Sequence, residues 1–163
     1  MSQQIVIDSK DFAREGRVLE GSLDLTDFPR VADQLLAREG QLVYRLEGSV
    51  DAQRKPLLRL LVSGVLPLEC QRCLERVDHE LEVDSLLELI NDEADLAEDD
   101  LEDDSRDFIV ADKSLDVVAL IEDEVILALP AVPQHEDCSL PEGGQGKAKV
   151  SPFSVLAALK KTP

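Results

Sequence analysis

The chain has 163 residues, 44% of them hydrophobic, which is enough for one compact domain with its own core. Its net charge of −18 repels phosphate backbones, anionic membranes and acidic substrates, and it attracts basic proteins. The alternative is that the charge only keeps the protein soluble. The N-terminal residues lack the pattern of a secretory signal, and no apolar stretch approaches the roughly 20 residues of a membrane span. Three cysteines, an odd number, fit a reduced cytoplasmic protein without a disulfide framework.

Most of the first ninety residues follow the pattern of β-strands. Polar and apolar side chains alternate in residues 41–52, 57–68 and 79–90, and this period of two indicates strands with one buried face. Three such runs joined by short turns predict an antiparallel meander. Two shorter runs, residues 5–7 and 17–25, are candidate edge strands.

Residues 91–107 have a different composition. Ten of these seventeen residues are acidic and only one is an arginine, so the segment carries half of the net charge of −18. So high a charge density with few apolar side chains predicts a mobile insertion within the domain. The insertion is either a solvated linker or an attractant for basic protein.

The clearest helical pattern in the chain covers residues 115–129. Ser114 is placed to cap the first turn, and Asp116 suits the positive end of the helix dipole. Pro130 ends the helix because it cannot continue the hydrogen-bond ladder. Four apolar residues recur at helical spacing on one face: Val118, Ile121, Val125 and Leu129.

An acidic run lies within this helix and resembles a set of catalytic carboxylates. Consecutive helical positions diverge by about 100°, so Glu122, Asp123 and Glu124 do not converge on one substrate atom. We expect them to form a solvated or partner-binding edge. The chain also lacks a Ser–His–Asp arrangement, a Gly-rich phosphate loop and a metalloprotease helix motif, so the sequence does not support an enzyme.

These elements predict an α+β fold for residues 1–140, treated as a single domain. Residues 30–38 add a candidate short helix that ends before Gly40. The helix at residues 115–129 is expected to pack on the antiparallel sheet. Whether the sheet closes into a barrel-like shape is left open by the pattern.

Residues 141–163 are predicted to be a flexible linker followed by a short C-terminal helix. Ser151 and Pro152 suit the N-cap and first turn of that helix. Its apolar stripe includes Phe153 and Leu156, and a helix this short is not stable alone. We therefore expect these two residues to dock, either on their own domain or on a partner.

Two pairs of metal-ligand residues are the main candidates for chemistry. Cys70 and Cys73 form a C-x-x-C at a predicted hairpin turn, as in a zinc knuckle, and His135 and Cys138 form an H-x-x-C sixty residues later. Together they make a complete Cys₃His set for a structural zinc ion; the alternative is a group of reduced, partly buried thiols. Redox catalysis is disfavoured because the C-x-x-C does not begin a helix. His79, the other histidine, is expected to be a surface residue on the polar face of its strand.

Three motifs, in this order and at this spacing, resemble the YceD family of large ribosomal RNA subunit accumulation proteins. They are LECQRCLE at residues 68–75, LIEDEVILALPAVPQH at residues 120–135 and SPFSVLAALK at residues 151–160. The resemblance implies a non-enzymatic role in accumulation of large-subunit ribosomal RNA. In many bacteria members of this family are encoded beside a small, basic large-subunit ribosomal protein. The resemblance brings no catalytic residue.

Two mechanisms follow from the charge and the resemblance. In the first, the acidic surface binds a basic ribosomal protein or a large-subunit assembly intermediate. In the second, Arg72 and Arg76 beside the zinc knuckle contact RNA directly, although the chain has no basic stripe interleaved with aromatic residues. A structural adaptor that docks through its C-terminal helix is a further alternative.

Overall fold

The computed structural model describes residues 4–96 and 104–140 together with Phe153, Ser154 and Leu156. Its main feature is a five-stranded sheet with strand order β2-β3-β4-β5-β6. The strands β2 to β5 pair antiparallel, and β6 pairs parallel with β5. The five strands are β2 Val18–Asp24, β3 Gln41–Val50, β4 Pro56–Glu69, β5 Arg76–Ile90 and β6 Asp107–Val110.

The predicted meander is confirmed, but the sheet is mixed and open instead of wholly antiparallel or barrel-like. In the described part of the chain the edge strands β2 and β6 do not pair with each other. Two helices cover the core face, so helices and not a second wall of strands complete the core. The length of residues 91–106 permits the parallel direction of β6, because a parallel neighbour needs a connection of about a dozen residues or more.

The remaining elements pack around this sheet. A two-stranded antiparallel sheet pairs β1 with β7, and residues 30–38 contain only a short 3₁₀ turn where a helix was predicted. No helix within the described ranges is long and apolar enough to cross a membrane. These elements are β1 Val6–Ile7, α1 Ser9–Arg14, β7 Leu115–Asp116, α2 Val117–Ala128 and the 3₁₀ turns Leu25–Asp27, Ala32–Gln34 and Glu93–Asp95.

The helix α2 begins two residues later than its sequence pattern suggests. Asp116, not Ser114, is the N-cap, and its carboxylate accepts hydrogen bonds from the N–H groups of Val118 and Ala119 at 3.0 and 3.2 Å. The prediction for Ser114 is wrong because the chain stays extended through β7, where Asp116 pairs with Val6.

One continuous aliphatic core lies between the sheet and the helices. It is built from the inward face of β3, β4 and β5, from α1 and from α2. Leucine predominates, which agrees with a chain that has five aromatic residues and no tryptophan. Among the largest fully buried side chains are Phe12, Phe28, Leu42, Leu46, Leu58, Leu60, Leu87 and Ile121.

Gly48 allows α1 to lie directly on β3. A Cβ atom at this position would be 2.8 Å from the Cα of Ala13 and would overlap the carbonyl oxygen of Phe12. We expect Gly48→Ala to push α1 off the sheet and to lower the free energy of unfolding by about 2–3 kcal/mol or more in urea denaturation. The exposed neighbour gives the control, since Ser49→Ala should change that free energy by less than about 0.5 kcal/mol. Equal urea midpoints for the two variants would contradict this account.

Candidate metal centre

The turn between β4 and β5 brings the first cysteine pair into position. The N–H of Cys70 donates to the carbonyl oxygen of Glu75 at 2.8 Å, and the N–H of Leu74 donates to the carbonyl oxygen of Cys70 at 2.9 Å. Leu74 has a left-handed backbone with φ of 65°, which reverses the chain after Cys73. The predicted hairpin turn is confirmed, and it holds both thiols on one side.

Three hydrogen bonds hold residues 133–138 against this turn. The N–H of Gln71 donates to the carbonyl oxygen of Pro133 at 2.9 Å. The guanidinium of Arg72 donates to the carbonyl oxygen of Cys138 at 3.1 Å and to the side-chain oxygen of Gln134 at 3.0 Å. These contacts join segments that lie more than sixty residues apart, and they carry the second pair of candidate ligands to the first.

The four candidate ligands meet in one cluster. The sulfur atoms of Cys70 and Cys138 lie 3.7 Å apart, and the sulfur of Cys73 lies 3.3 Å from Nδ1 of His135. One ligand atom from each of the four residues falls within 4.8 Å of the others. A tetrahedral zinc ion with its usual bond lengths needs edges of about 3.8 Å between two sulfurs and about 3.5 Å between sulfur and nitrogen. The distances of 3.7 and 3.3 Å are close to these edges, so the cluster approaches the dimensions that a zinc ion requires.

Hydrogen bonding fixes the orientation of the His135 ring. Its Nε2 lies 2.9 Å from the carbonyl oxygen of Arg76, so Nε2 carries the proton and donates it to that oxygen. Nδ1 is then unprotonated and faces the sulfur of Cys73. A ring nitrogen in this state is the form that binds a metal ion.

The electrostatics of the cluster favour one thiolate. Burial raises the pKa of the Cys70 thiol, but hydrogen bonds from neighbouring backbone N–H groups outweigh this effect and bring the pKa to about 5. The donors are the N–H groups of Cys73, His135 and Arg72. The pKa of Cys138 is raised by burial, by its hydrogen bonds with the other two sulfurs and by their negative charge. A cation at the centre would relieve this repulsion and favour all three thiolates.

The chemistry available to the cluster is structural. Four protein ligands complete a tetrahedral shell and leave no position for water or substrate. The three cysteines are free thiols, and the 3.7 Å between the sulfurs of Cys70 and Cys138 is much longer than a disulfide bond. The closed arrangement thus suits an ion that holds segments together.

The two arginines predicted to bind a partner are engaged within the domain. Arg72 holds residues 133–138 as described above. Arg76 lies at the start of β5, and its Nε donates to the carboxylate of Asp78 at 2.7 Å. Arg76 is therefore paired with a carboxylate, whereas the acceptors of Arg72 are uncharged.

The acidic run on α2 is less exposed than predicted. Glu122 is buried, and its carboxylate accepts hydrogen bonds from the backbone N–H groups of Arg30 and Val31 at 2.6 and 3.2 Å and from Nε of Arg30 at 2.8 Å. Glu124 is buried as well and accepts a hydrogen bond from the hydroxyl of Ser85. Only Asp123 is substantially exposed, and it pairs with Arg30 at 2.6 Å. The expected solvated edge is wrong for Glu122, which the loop at residues 28–31 covers, and for Glu124, which is directed towards Ser85 on β5.

Sequence reasoning also missed an ion-pair cluster where the acidic insertion rejoins the sheet. Glu88 is buried and pairs with Lys55 at 2.8 Å and with Arg106 at 2.9 Å, and Arg106 also pairs with Asp51 at 3.4 Å. Glu88 lies on the polar side of its strand, so its position in the sequence did not predict that it is buried. The available indication was Arg106, the single arginine within the acidic residues 91–107.

The other predicted segments are only partly described. Residues 97–103, the centre of the acidic insertion, and most of residues 141–163 lie outside the described residues. Phe153 and Leu156 are described and are exposed by 74% and 55%. The helix predicted around them lies largely outside the described residues.

Comparison with known proteins places the chain in a family. The sequence profile described as "Large ribosomal RNA subunit accumulation protein YceD" matches residues 58–160, a range that includes the four clustered ligands and the C-terminal motif. A curated protein with that name from Haemophilus influenzae is 34% identical over 147 residues, which cover 81% of this chain and 81% of the relative. No solved structure matches the chain. By both comparisons the chain belongs to the YceD family of large ribosomal RNA subunit accumulation proteins.

Proposed function

We propose that the protein is a non-enzymatic, cytoplasmic factor that supports accumulation of large-subunit ribosomal RNA by binding a basic ribosomal protein or a basic assembly intermediate. The observation that carries this proposal is the net charge of −18. A surface of that sign repels RNA and attracts the lysine-rich and arginine-rich proteins that assemble with it. Membership in the family supplies the link to the large subunit.

The distribution of charge supports a protein partner. Residues 1–140 contain 34 of the 35 acidic residues, whereas four of the five charged residues in residues 141–163 are lysines. Ion pairs in the described part of the domain engage a minority of these carboxylates. The excess negative charge is therefore available to a basic partner.

We further infer that zinc occupies the Cys₃His cluster of Cys70, Cys73, His135 and Cys138. Zinc would join the turn of residues 70–75 to residues 133–138 and so complete the domain of residues 1–140. Its role is to stabilise this junction, since the four ligands leave no reactive position. Residues 141–163 would then act as a separate docking segment.

Direct RNA contact through Arg72 and Arg76 has less support. Both guanidinium groups already donate to acceptors within the domain. An RNA phosphate would have to compete with these acceptors and with the surrounding acidic surface.

Affinity capture tests the proposal directly. The tagged protein is recovered from growing cells at about 50 and about 300 mM salt, with and without RNase, and the bound proteins are identified by mass spectrometry. We expect one basic large-subunit protein to remain after RNase treatment and to be lost as the salt concentration rises, because charge–charge attraction is screened. If RNase alone removes all ribosomal material, then RNA is the primary contact and the proposed mechanism is wrong.

A further inference from the structure

The outward face of β2 to β5 is the largest surface of the sheet that no helix covers in the described ranges. Both helices pack on the opposite, core face. The pairing register aligns the outward side chains in rows across the strands, such as Glu20, Arg45, Leu61 and Asp84. The apolar members of this face include Val18, Val43, Leu61, Val65 and Leu86, of which Val18, Val43 and Val65 are exposed.

A shallow depression of about 480 Å³ lies at the centre of this outer face. Val43, Leu61 and Ser63 are short or half-buried and form its floor. Glu82 and Asp84 line the side formed by β5. Arg45 also lines the depression, from the side of β3. The depression therefore combines an apolar floor with an acidic wall on the β5 side.

Charges on the outer face are unbalanced. Arg45 pairs with Glu20 at 3.0 Å and with Glu47 at 2.5 Å, and Arg59 binds both oxygens of Asp84 at 2.7 and 2.8 Å. Arg45 and Arg59 are thus neutralised by carboxylates of the same face, and Arg76 at the start of β5 is neutralised by Asp78. Glu80 and Glu82, which also point outward from β5, make no ion pair with any described residue.

We propose that this outer face binds a basic polypeptide segment of the partner protein. Apolar side chains of that segment would lie on Val43 and Leu61, and its lysine or arginine side chains would lie beside Glu80 and Glu82. The inference rests on the proposed function and assigns its binding surface.

Charge complementarity favours a basic polypeptide over a nucleic acid or a second copy of this chain as the ligand of the outer face. A nucleic acid would bring phosphates against unpaired carboxylates, and a second copy of this chain would bring a further net charge of −18. The basic C-terminal residues of the chain itself have the right sign, but Phe153 and Leu156 are exposed and do not lie in the depression.

The test compares two double variants of the full-length protein, each of which replaces two carboxylates by amides. Individually purified basic large-subunit ribosomal proteins are titrated at about 50 mM salt, and binding is followed by fluorescence anisotropy. Glu80→Gln with Glu82→Gln is expected to raise Kd about 5- to 30-fold, since each exposed charge pair contributes up to about 1 kcal/mol. The matched control, Asp11→Asn on α1 with Glu15→Gln at the C-cap of α1, should change Kd by less than about twofold.

A second variant tests the depression itself. Ser63→Arg places a long cationic side chain where the partner's segment would lie, and Ser63 is exposed, so the fold should be retained. We expect at least a tenfold increase in Kd, with an unchanged circular dichroism spectrum. An unchanged Kd for this variant would overturn the proposal.

The remaining outcomes distinguish an error in the proposed binding surface from an error in the proposed function. If the β5 variant and the control lose the same affinity, the outer face is not the binding surface, although the protein still binds a basic partner. Loss confined to a variant in which Glu98, Asp99, Asp100, Glu102 and Asp103 become amides would move the site to the acidic insertion and also overturn it. Tighter binding after truncation at Gln145 would assign the face to the chain's own C-terminal residues. Absence of binding by every basic protein would contradict the proposed function instead.

Discussion

Replacing Cys70 with serine is expected to lower the bound zinc from about one ion per chain to below about 0.1. Cys70 is buried, and it is the sulfur towards which the neighbouring backbone N–H groups are directed, so it is the ligand best fixed before metal binding. A serine hydroxyl is a poor zinc ligand at neutral pH because the ligand must be deprotonated. The zinc content of the purified protein, measured by plasma mass spectrometry, tests this expectation.

The same substitution should lower stability by about 4 kcal/mol when free zinc is near a thousand times its dissociation constant. The reason is that the proposed ion would join two segments held otherwise by a few hydrogen bonds, including the one from Gln71 to Pro133. Urea denaturation with and without a chelator gives the measurement. The chelator should destabilise the wild-type protein and leave Cys70→Ser unchanged.

The second histidine provides the control for metal binding. His135→Asn removes a ligand and should behave like Cys70→Ser, whereas His79→Asn alters a half-buried side chain on β5 outside the cluster and should keep its zinc. A wild-type protein that is purified without zinc, and whose urea midpoint is unaffected by both zinc and chelator, would show that the four residues are only reduced thiols.

The strands of the meander were predictable because their signal is local. The alternating runs at residues 41–52, 57–68 and 79–90 contain most of β3, β4 and β5, since period-two patterning reflects a face buried along the whole strand. The direction of β6 was not predictable from its residues. Whether a strand runs parallel depends on the path of the preceding connection, and that path is not encoded in side-chain alternation.

The candidate metal site was predictable as a set of residues but not as a geometry. The C-x-x-C at a hairpin turn is a local signal, and the resulting turn places Cys70 and Cys73 as expected. The approach of His135 and Cys138 depends on contacts such as that between Arg72 and Gln134, which join distant parts of the chain. Sequence spacing alone could not establish that these four side chains meet.

Burial of charged residues was the main error of sequence reasoning. Glu88 lies on the polar side of β5, yet Lys55 and Arg106 cover it, and both come from other segments. Glu122 was likewise assigned to solvent because its helix was considered in isolation. In both cases the covering group is an arginine or lysine far away in sequence, so the pattern of one element carries no information about it.

Glu122→Ala is therefore expected to be one of the most destabilising single changes in the domain, at about 2–4 kcal/mol. The carboxylate of Glu122 accepts hydrogen bonds from the backbone N–H groups of Arg30 and Val31, and alanine would leave both donors without this partner. The loop at residues 28–31 would then lose its attachment to α2. Urea denaturation monitored by circular dichroism measures the change.

Its neighbour supplies the matched control. Asp123 is substantially exposed and pairs only with the guanidinium of Arg30, so Asp123→Ala should cost about 0–1 kcal/mol. Glu122→Gln should fall between the two, because the amide oxygen can still accept from one backbone N–H while the charge is lost. Equal destabilisation by Glu122→Ala and Asp123→Ala would mean that only the ion pair with Arg30 matters. The expected order instead makes Glu122 the residue that attaches the loop to the helix, which gives the acidic run in the LIEDEVILALPAVPQH motif a structural role.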